Sequence, residues 1–505
     1  MSDTSSFSSR SAREQVPVAD IPVSELDLSP ARFDAKPPDS PVPQPGTPAS
    51  HLYHRYHIET QTAPDIVPLP SKFRVKVKKH RLIGMVLKEL IETRGDIPVS
   101  LSRPCVYGVF SRPVGGLAPK EELCVGCLRC TVQYPEMVKV MPNPARQHLG
   151  DSAIKPEYVD TLLYEARTGR VPVRGAGYRG AFGGEGWDGL WTDMSEIVRP
   201  TRDGIHGREF ISTAVDIGEK PAFLHFDEEG EVIDSTPKMM PLPVPFLFDM
   251  PPKALQSKQL LEILTEAARQ IKTLALVPIS SIVQHSLTGE HIVPVIAPNE
   301  LNYLDQFTES PRMILLDGWD RECFDTLQAR FPGSSICVRV PMDADILELV
   351  QQGVRVLHLT ANYHGYIGER FVMDRILSAH QRLVDAGLRE EVSLIGSGGI
   401  LLAEHMPKAI ICGLDAVALD VALMVALQAR FSGEYLDRET ASLSFPPRLN
   451  TTWGVQRLKN LAAAWRDQLL EILGAMGLRE VRRLRGEVGR CMFQRDLERE
   501  VFDEL

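Results

Sequence analysis

Eight short, β-branched apolar runs recur between residues 244 and 419, at 244–248, 273–277, 292–296, 313–316, 336–340, 355–359, 392–395 and 416–419. Each is followed by a polar or small residue and then, in most cases, by a stretch with helical spacing. Strands alternating with helices require crossover connections, which are right-handed and place the strands parallel in one sheet. Eight such units in about 180 residues fit a closed β/α barrel, of TIM type, better than an open doubly wound sheet. The intervals after the second and third runs are short for full helices. Beyond the eighth unit, residues 457–476 carry Leu458, Leu461, Trp465, Ile472 and Met476 on one side at helical spacing, with Gly477 as the stop. This stripe reads as a packing helix.

The rest of the 505 residues divides by composition. Residues 1–50 contain nine Pro and ten Ser with no apolar period, so residues 1–60 are expected to be a disordered tail. Residues 61–160 form a cysteine-bearing module, 161–240 a Gly-rich lead-in, 241–440 the barrel and 441–505 a helical closure. The stretch Lys72 to His80 alternates basic and apolar residues, which predicts a strand with one solvated, positive face. A docking surface for an acidic partner such as a ferredoxin is the functional alternative, followed by nucleic acid. A net charge of −10 argues against a general nucleic-acid binder. No run of 18 apolar residues is present to span a membrane, and the first residues lack the apolar core of a secretory signal. A cytoplasmic protein is expected.

Eight cysteines are too few for a disulfide scaffold. Four of them cluster: Cys124, Cys127 and Cys130 at successive spacings of three, and Cys105 upstream. Three thiolates so spaced let one loop wrap three corners of a cubane iron–sulfur cluster. The fourth Cys of the bacterial ferredoxin run is replaced by Tyr134 before Pro135, leaving Cys105 as the nearby candidate. A 4Fe–4S cluster is the expectation, with a 3Fe–4S cluster on three cysteines, a zinc site, or no metal as alternatives. Cys323, Cys337, Cys412 and Cys491 stand in apolar or helical contexts and read as buried, inert thiols.

In β/α barrels the loops after the seventh and eighth strands commonly form a phosphate site. Here they carry Gly396-Ser397-Gly398-Gly399 and Asp420; a plain Gly-Gly turn is the alternative. The run from Ile395 to Leu427, the closing segment LLEILGAMGLREVRRLRGE and the segment from Leu190 to Pro221 resemble, in the same order, the FMN domain of glutamate synthases, in particular the short archaeal-type members with a ferredoxin-like cluster motif. The resemblance implies FMN, an iron–sulfur cluster feeding it electrons, and reductive amination of 2-oxoglutarate to glutamate by hydride transfer from the reduced flavin. It places Arg339, at the end of the fifth strand, where the family has a basic residue facing substrate and flavin; pairing with Asp317 or another strand-end acid is the alternative. Met250, Gly396, Ser397, Gly398, Gly399 and Asp420 fall at flavin-facing positions.

The chain also departs from that pattern. The family's Met-Ser-Phe-Gly-Ala-Leu-Ser turn after the first strand is here Met250-Pro251-Pro252-Lys253-Ala254-Leu255-Gln256. Asp420 replaces a Gly that approaches the phosphate, and its charge would repel one unless turned away or paired. The late cysteines of the large glutamate synthases are absent, with Gln428 and its neighbours in their place. No Cys follows Met1, so ammonia is expected from solution or a separate subunit, with a ferredoxin or other carrier as electron donor. A second reading is an electron-transfer or scaffold subunit that keeps barrel and cluster but has lost the amination chemistry.

Overall fold

A computed structural model describes residues 56–96, 105–111, 118–172, 184–192, 211–221, 225–232, 238–307, 309–447 and 449–502. Most of the expected N-terminal tail, residues 1–55, lies outside the described residues. Tyr56–Leu505 form one compact unit. Among the described residues no helix is long and apolar enough to cross a membrane.

All eight apolar runs are strands of one closed parallel barrel. They are β1 (Phe246–Phe248), β2 (Ala275–Pro278), β3 (Ile292–Ile296), β4 (Met313–Asp317), β5 (Ser335–Pro341), β6 (Val356–Thr360), β7 (Ser393–Ser397) and β8 (Ala416–Leu419). The ring closes where β8 pairs with β1, Val417 opposite Phe246 and Leu419 opposite Phe248. Residues along β3 and β8 are buried on both faces, because crossovers cover the outside and side chains fill the inside. That double burial is why the runs are continuously apolar. The short intervals after β2 and β3 hold the helix Ile279–His285 and the 3-10 segment Pro298–Gln306.

The closing helix spans Thr451–Ala475, starting six residues earlier than the stripe suggested, because the Asn450 side chain caps it by accepting from the Trp453 amide. Leu458, Leu461 and Trp465 are buried in the core, as expected. The Trp465 indole donates to Glu165 Oε2 at 3.0 Å, tying this helix to Pro156–Thr168. Fully buried Arg457 donates to Ala63 O and Asp65 Oδ1, both at 2.9 Å, so the segment entering the unit is stapled to the barrel's closing helix.

The basic stretch forms the strand Phe73–Val77, paired antiparallel with Val138–Pro142. Arg74, Lys76 and Lys78 are exposed while Val75 is buried, the one-sided pattern that alternation demands. Val75 and Val138 belong to a small core of their own with Val109, Phe110, Cys130 and Met137.

Candidate functional site

The four clustered cysteines converge. Cys105, Cys124, Cys127 and Cys130 line one small pocket together with Val75, Val106, Tyr107, Val125, Leu128 and Val140. Two left-handed residues bend the chain around it, Gly126 at φ 71° and Leu128 at φ 60°, the latter just before the helix Arg129–Gln133. A side chain at Gly126 would strike the Phe73 ring, so the loop passes beneath the ribbon only as glycine. Burial pushes the Cys124 and Cys130 thiols up, and the neighbouring thiols push the same way. A bound cation reverses that balance by stabilising the thiolates. Cys130 is buried and Cys127 exposed. Of the other cysteines, Cys323, Cys337 and Cys412 are buried and Cys491 partly so. Burial pushes Cys323 and Cys491 up to about 11 and the other two further still.

At the carboxyl ends of the strands, ion pairs cross the barrel. Arg339 on β5 donates from Nη1 and Nη2 to the two oxygens of Asp249, which follows β1, each at 3.0 Å. β1 and β5 are four strands apart in a ring of eight, so the pair bridges opposite walls. Arg438, beyond β8, donates to Asp317 Oδ2 on β4 at 3.0 Å. Arg339 Nε also lies 3.9 Å from Asp317, which joins the two pairs. Burial raises the Asp249 carboxyl, but the charges of Arg339 and Arg438 outweigh it and hold Asp249 below the usual range. Burial and the Arg339 charge press His358 down to about 3, so the imidazole is neutral, with Nε2 3.0 Å from Ser397 Oγ. Met250 is buried, its sulfur 3.7 Å from Arg438 Nη1. Lys253 is exposed, and its amide donates to Arg438 O.

The Gly-rich turn is closed from within. Gly398 and Gly399 have φ of 98° and 72°. A Cβ on Gly398 would lie 2.6 Å from Asn362 O, and one on Gly399 would lie 2.7 Å from Gly365 Cα. The glycines therefore admit the chain's own loop after β6, and the Gly399 amide donates to Tyr363 O at 3.3 Å. A Cβ on Gly396 would run into Leu414. Tyr363 and Tyr435 stack above, ring centres 4.5 Å apart. Asp420 is buried, and burial together with Asp249 pushes its carboxyl up to about 7.

The alternative raised for Arg339, pairing with Asp317 or another strand-end acid, is what the structure shows, with Asp249 as the main partner and Asp317 beside it. Asp249, His358, Tyr363, Tyr435 and Arg438 complete this cluster. The one available signal was Asp249, a polar residue ending an apolar strand; nothing around Arg438 marks it.

Comparison with known proteins gives the following. A family model described as a conserved region in glutamate synthase matches residues 372–438. The archaeal-type glutamate synthase (NADPH) of Dehalococcoides mccartyi is 22% identical over 437 residues, 73% of this chain and 86% of that protein. The archaeal glutamate synthase (NADPH) of Methanocaldococcus jannaschii is 38% identical over 117 residues, 22% of this chain and 23% of that protein. Among solved structures, an IMP dehydrogenase/GMP reductase-like protein from Corynebacterium glutamicum aligns with 57% of this chain and 90% of its own at 12% identity and a TM-score of 0.37. The chain resembles the glutamate synthase family, as its motifs suggested, and the similarity to these enzymes supports an oxidoreductase.

Proposed function

We propose that this chain is an oxidoreductase of the glutamate synthase type that takes electrons in through an iron–sulfur cluster on Cys105, Cys124, Cys127 and Cys130. The convergence of these four thiols on one pocket carries the reading. Four ligands match a 4Fe–4S cluster, with Cys105 supplying the corner the ferredoxin run lacks. A single zinc ion on the same four thiols is the alternative metal. Eight unpaired cysteines suit a reducing, cytoplasmic compartment. A ferredoxin or similar carrier is the proposed donor.

The resemblance further implies FMN at the barrel mouth, with 2-oxoglutarate as substrate and ammonia from solution or another subunit. As folded, the residues there do not fit FMN. The turn that would cradle its phosphate is packed against residues 361–365, the Gly399 amide is already donated, and a buried acid stands in the corner. Both mouth arginines are held by aspartates. This filling favours the second reading for the barrel, an electron-transfer or scaffold unit without amination chemistry.

Anaerobic purification separates the two. A brown protein with about four iron atoms per chain and flavin released on denaturation, the flavin reoxidised by 2-oxoglutarate and ammonia, supports the amination enzyme. Iron without flavin supports the electron-transfer unit. A colourless protein without iron overturns both.

A further inference from the structure

An exposed apolar patch surrounds the cysteine pocket. Val106, Tyr107, Val125 and Leu128 line that pocket together with all four cysteines, yet each is at least 41% exposed. Cys127 stands exposed among them. Large apolar side chains facing water around one pocket form a contiguous patch of the kind that marks a protein-binding surface. Cations stand beside it. Val75 and Val140, directly opposite each other in the ribbon of Phe73–Val77 and Val138–Pro142, both line the pocket. The next pair along, Lys76 opposite Lys139, therefore shares the ribbon's other face, and both lysines are exposed. Like charges directly opposite destabilise a ribbon unless something neutralises them. Nearby Lys72 pairs with Asp160 and Arg81 with Glu136, whereas no salt bridge among the described residues takes up Lys76 or Lys139. Lys78, on the same face as Lys76, and Arg129, next to Leu128, are exposed as well.

We propose that this surface docks an acidic, one-electron carrier protein of the ferredoxin class, with Tyr107 and its apolar neighbours packing at the centre and Lys76 and Lys139 pairing with the carrier's carboxylates at the rim. An apolar centre with a charged rim is the anatomy of a protein–protein interface. Nucleic acid fits it less well, because phosphates seek cations across the whole contact. This role rests on a cluster being held by the four thiolates, as proposed above. One electron leaves the carrier's reduced centre and enters that cluster, so the carrier is oxidised and the cluster reduced by one electron, with no bond made or broken and no proton moved. Exposed Cys127 gives the electron its entry in the middle of the patch.

The test uses the full chain purified anaerobically, with iron content and thermal unfolding recorded for every variant, and an acidic plant-type 2Fe–2S ferredoxin as the probe. Calorimetry with the oxidised ferredoxin reads docking without electron transfer. Wild type is expected to form a one-to-one complex that weakens about tenfold as salt rises from about 0.01 to 0.15 M and the Debye length falls from about 30 to 8 Å. Lys76→Glu/Lys139→Glu should weaken docking about tenfold at low salt and flatten its salt dependence. Lys258→Glu/Lys272→Glu makes the same change in net charge at exposed positions of the helix Lys258–Ile271 and its C-cap, and should leave docking within about twofold of wild type, since distant charges are screened. Tyr107→Ala should weaken docking about tenfold at every salt concentration, as loss of a central aromatic does. No complex with wild type, equal losses in the two lysine pairs, or wild-type docking in both the Lys76→Glu/Lys139→Glu and Tyr107→Ala variants would each overturn the surface, as would a dimer of the chain that Tyr107→Ala dissolves. Wild type that lacks iron yet docks ferredoxin in the expected pattern would defeat the cluster reading alone and leave the docking surface standing.

Discussion

Arg339 lies across the barrel mouth with its guanidinium fork on Asp249, two hydrogen bonds of 3.0 Å linking β5 to the end of β1 on the opposite wall. Asp249 is 3% exposed and Arg339 12%, so neither has water to fall back on. A buried pair of this kind contributes little net stability against an apolar substitute, but removing one partner strands the other. Arg339→Leu is therefore expected to destabilise the fold by about 3–5 kcal/mol, read as a shift of the urea midpoint. The double variant Asp249→Asn/Arg339→Leu should recover much of that loss. Because the folded carboxyl sits below its unfolded value, the wild-type contribution is present at neutral pH and lost as acid carries pH down through the folded value. Equal destabilisation in single and double variants would show that the pair is not coupled.

The barrel was legible in the sequence because a strand buried on both faces must be apolar along its length. Its ends were less so. The first run loses Val244 and Pro245 from the strand, since proline has no amide to donate to the ladder, although the Pro245 carbonyl still accepts from Val417 N. The cysteine pocket was legible because three of its residues share one loop. The mouth was legible only in part, as Arg339 and a strand-end acid to pair with it, because its partners lie far apart in the chain: 90 residues separate Asp249 from Arg339, and 121 separate Asp317 from Arg438. Periodicity reports which face of an element is buried, not which charge meets which across a ring.

Closure of the Gly-rich turn predicts a steric effect at Gly399. Its φ of 72° is in the left-handed region, and an added Cβ would lie 2.7 Å from the backbone of Gly365. Backbone cannot give way as a side-chain tip does, so Gly399→Ala should cost about 1–3 kcal/mol and lower the melting temperature. If the loop after β6 were free to swing aside, the substitution would be nearly silent in thermal unfolding.

Thiol accessibility gives a further test, made on protein stripped of metal. Cys127 is exposed, whereas Cys337 and Cys412 are buried with their thiols pushed far above the usual range. The thiolate is the nucleophile, so brief iodoacetamide treatment at pH 8 should label Cys127 first and leave Cys337 and Cys412 unlabelled until the chain is unfolded. Peptide mass spectrometry reads the order. Early labelling of Cys337, at the centre of β5, would contradict the closed barrel.

Asp420 gives the pH dependence a definite sign. Burial and the nearby Asp249 charge raise its carboxyl to about 7, against about 3.9 in an unfolded chain. Between those values the folded state keeps a proton that the unfolded state has released, so this residue makes the fold less stable as pH rises. Above pH 7 the penalty is complete, and a gap of about three units amounts to roughly 4 kcal/mol. Asp420→Asn removes the titration yet keeps an oxygen to accept the Val421 amide, now held at 2.5 Å by Asp420 Oδ1. The variant should thus match wild type near pH 4 and exceed it progressively up to pH 7, with a constant margin beyond, in denaturant midpoints taken at each pH. A margin that does not change between pH 4 and 8 would mean that Asp420 titrates normally and is not enclosed with Asp249.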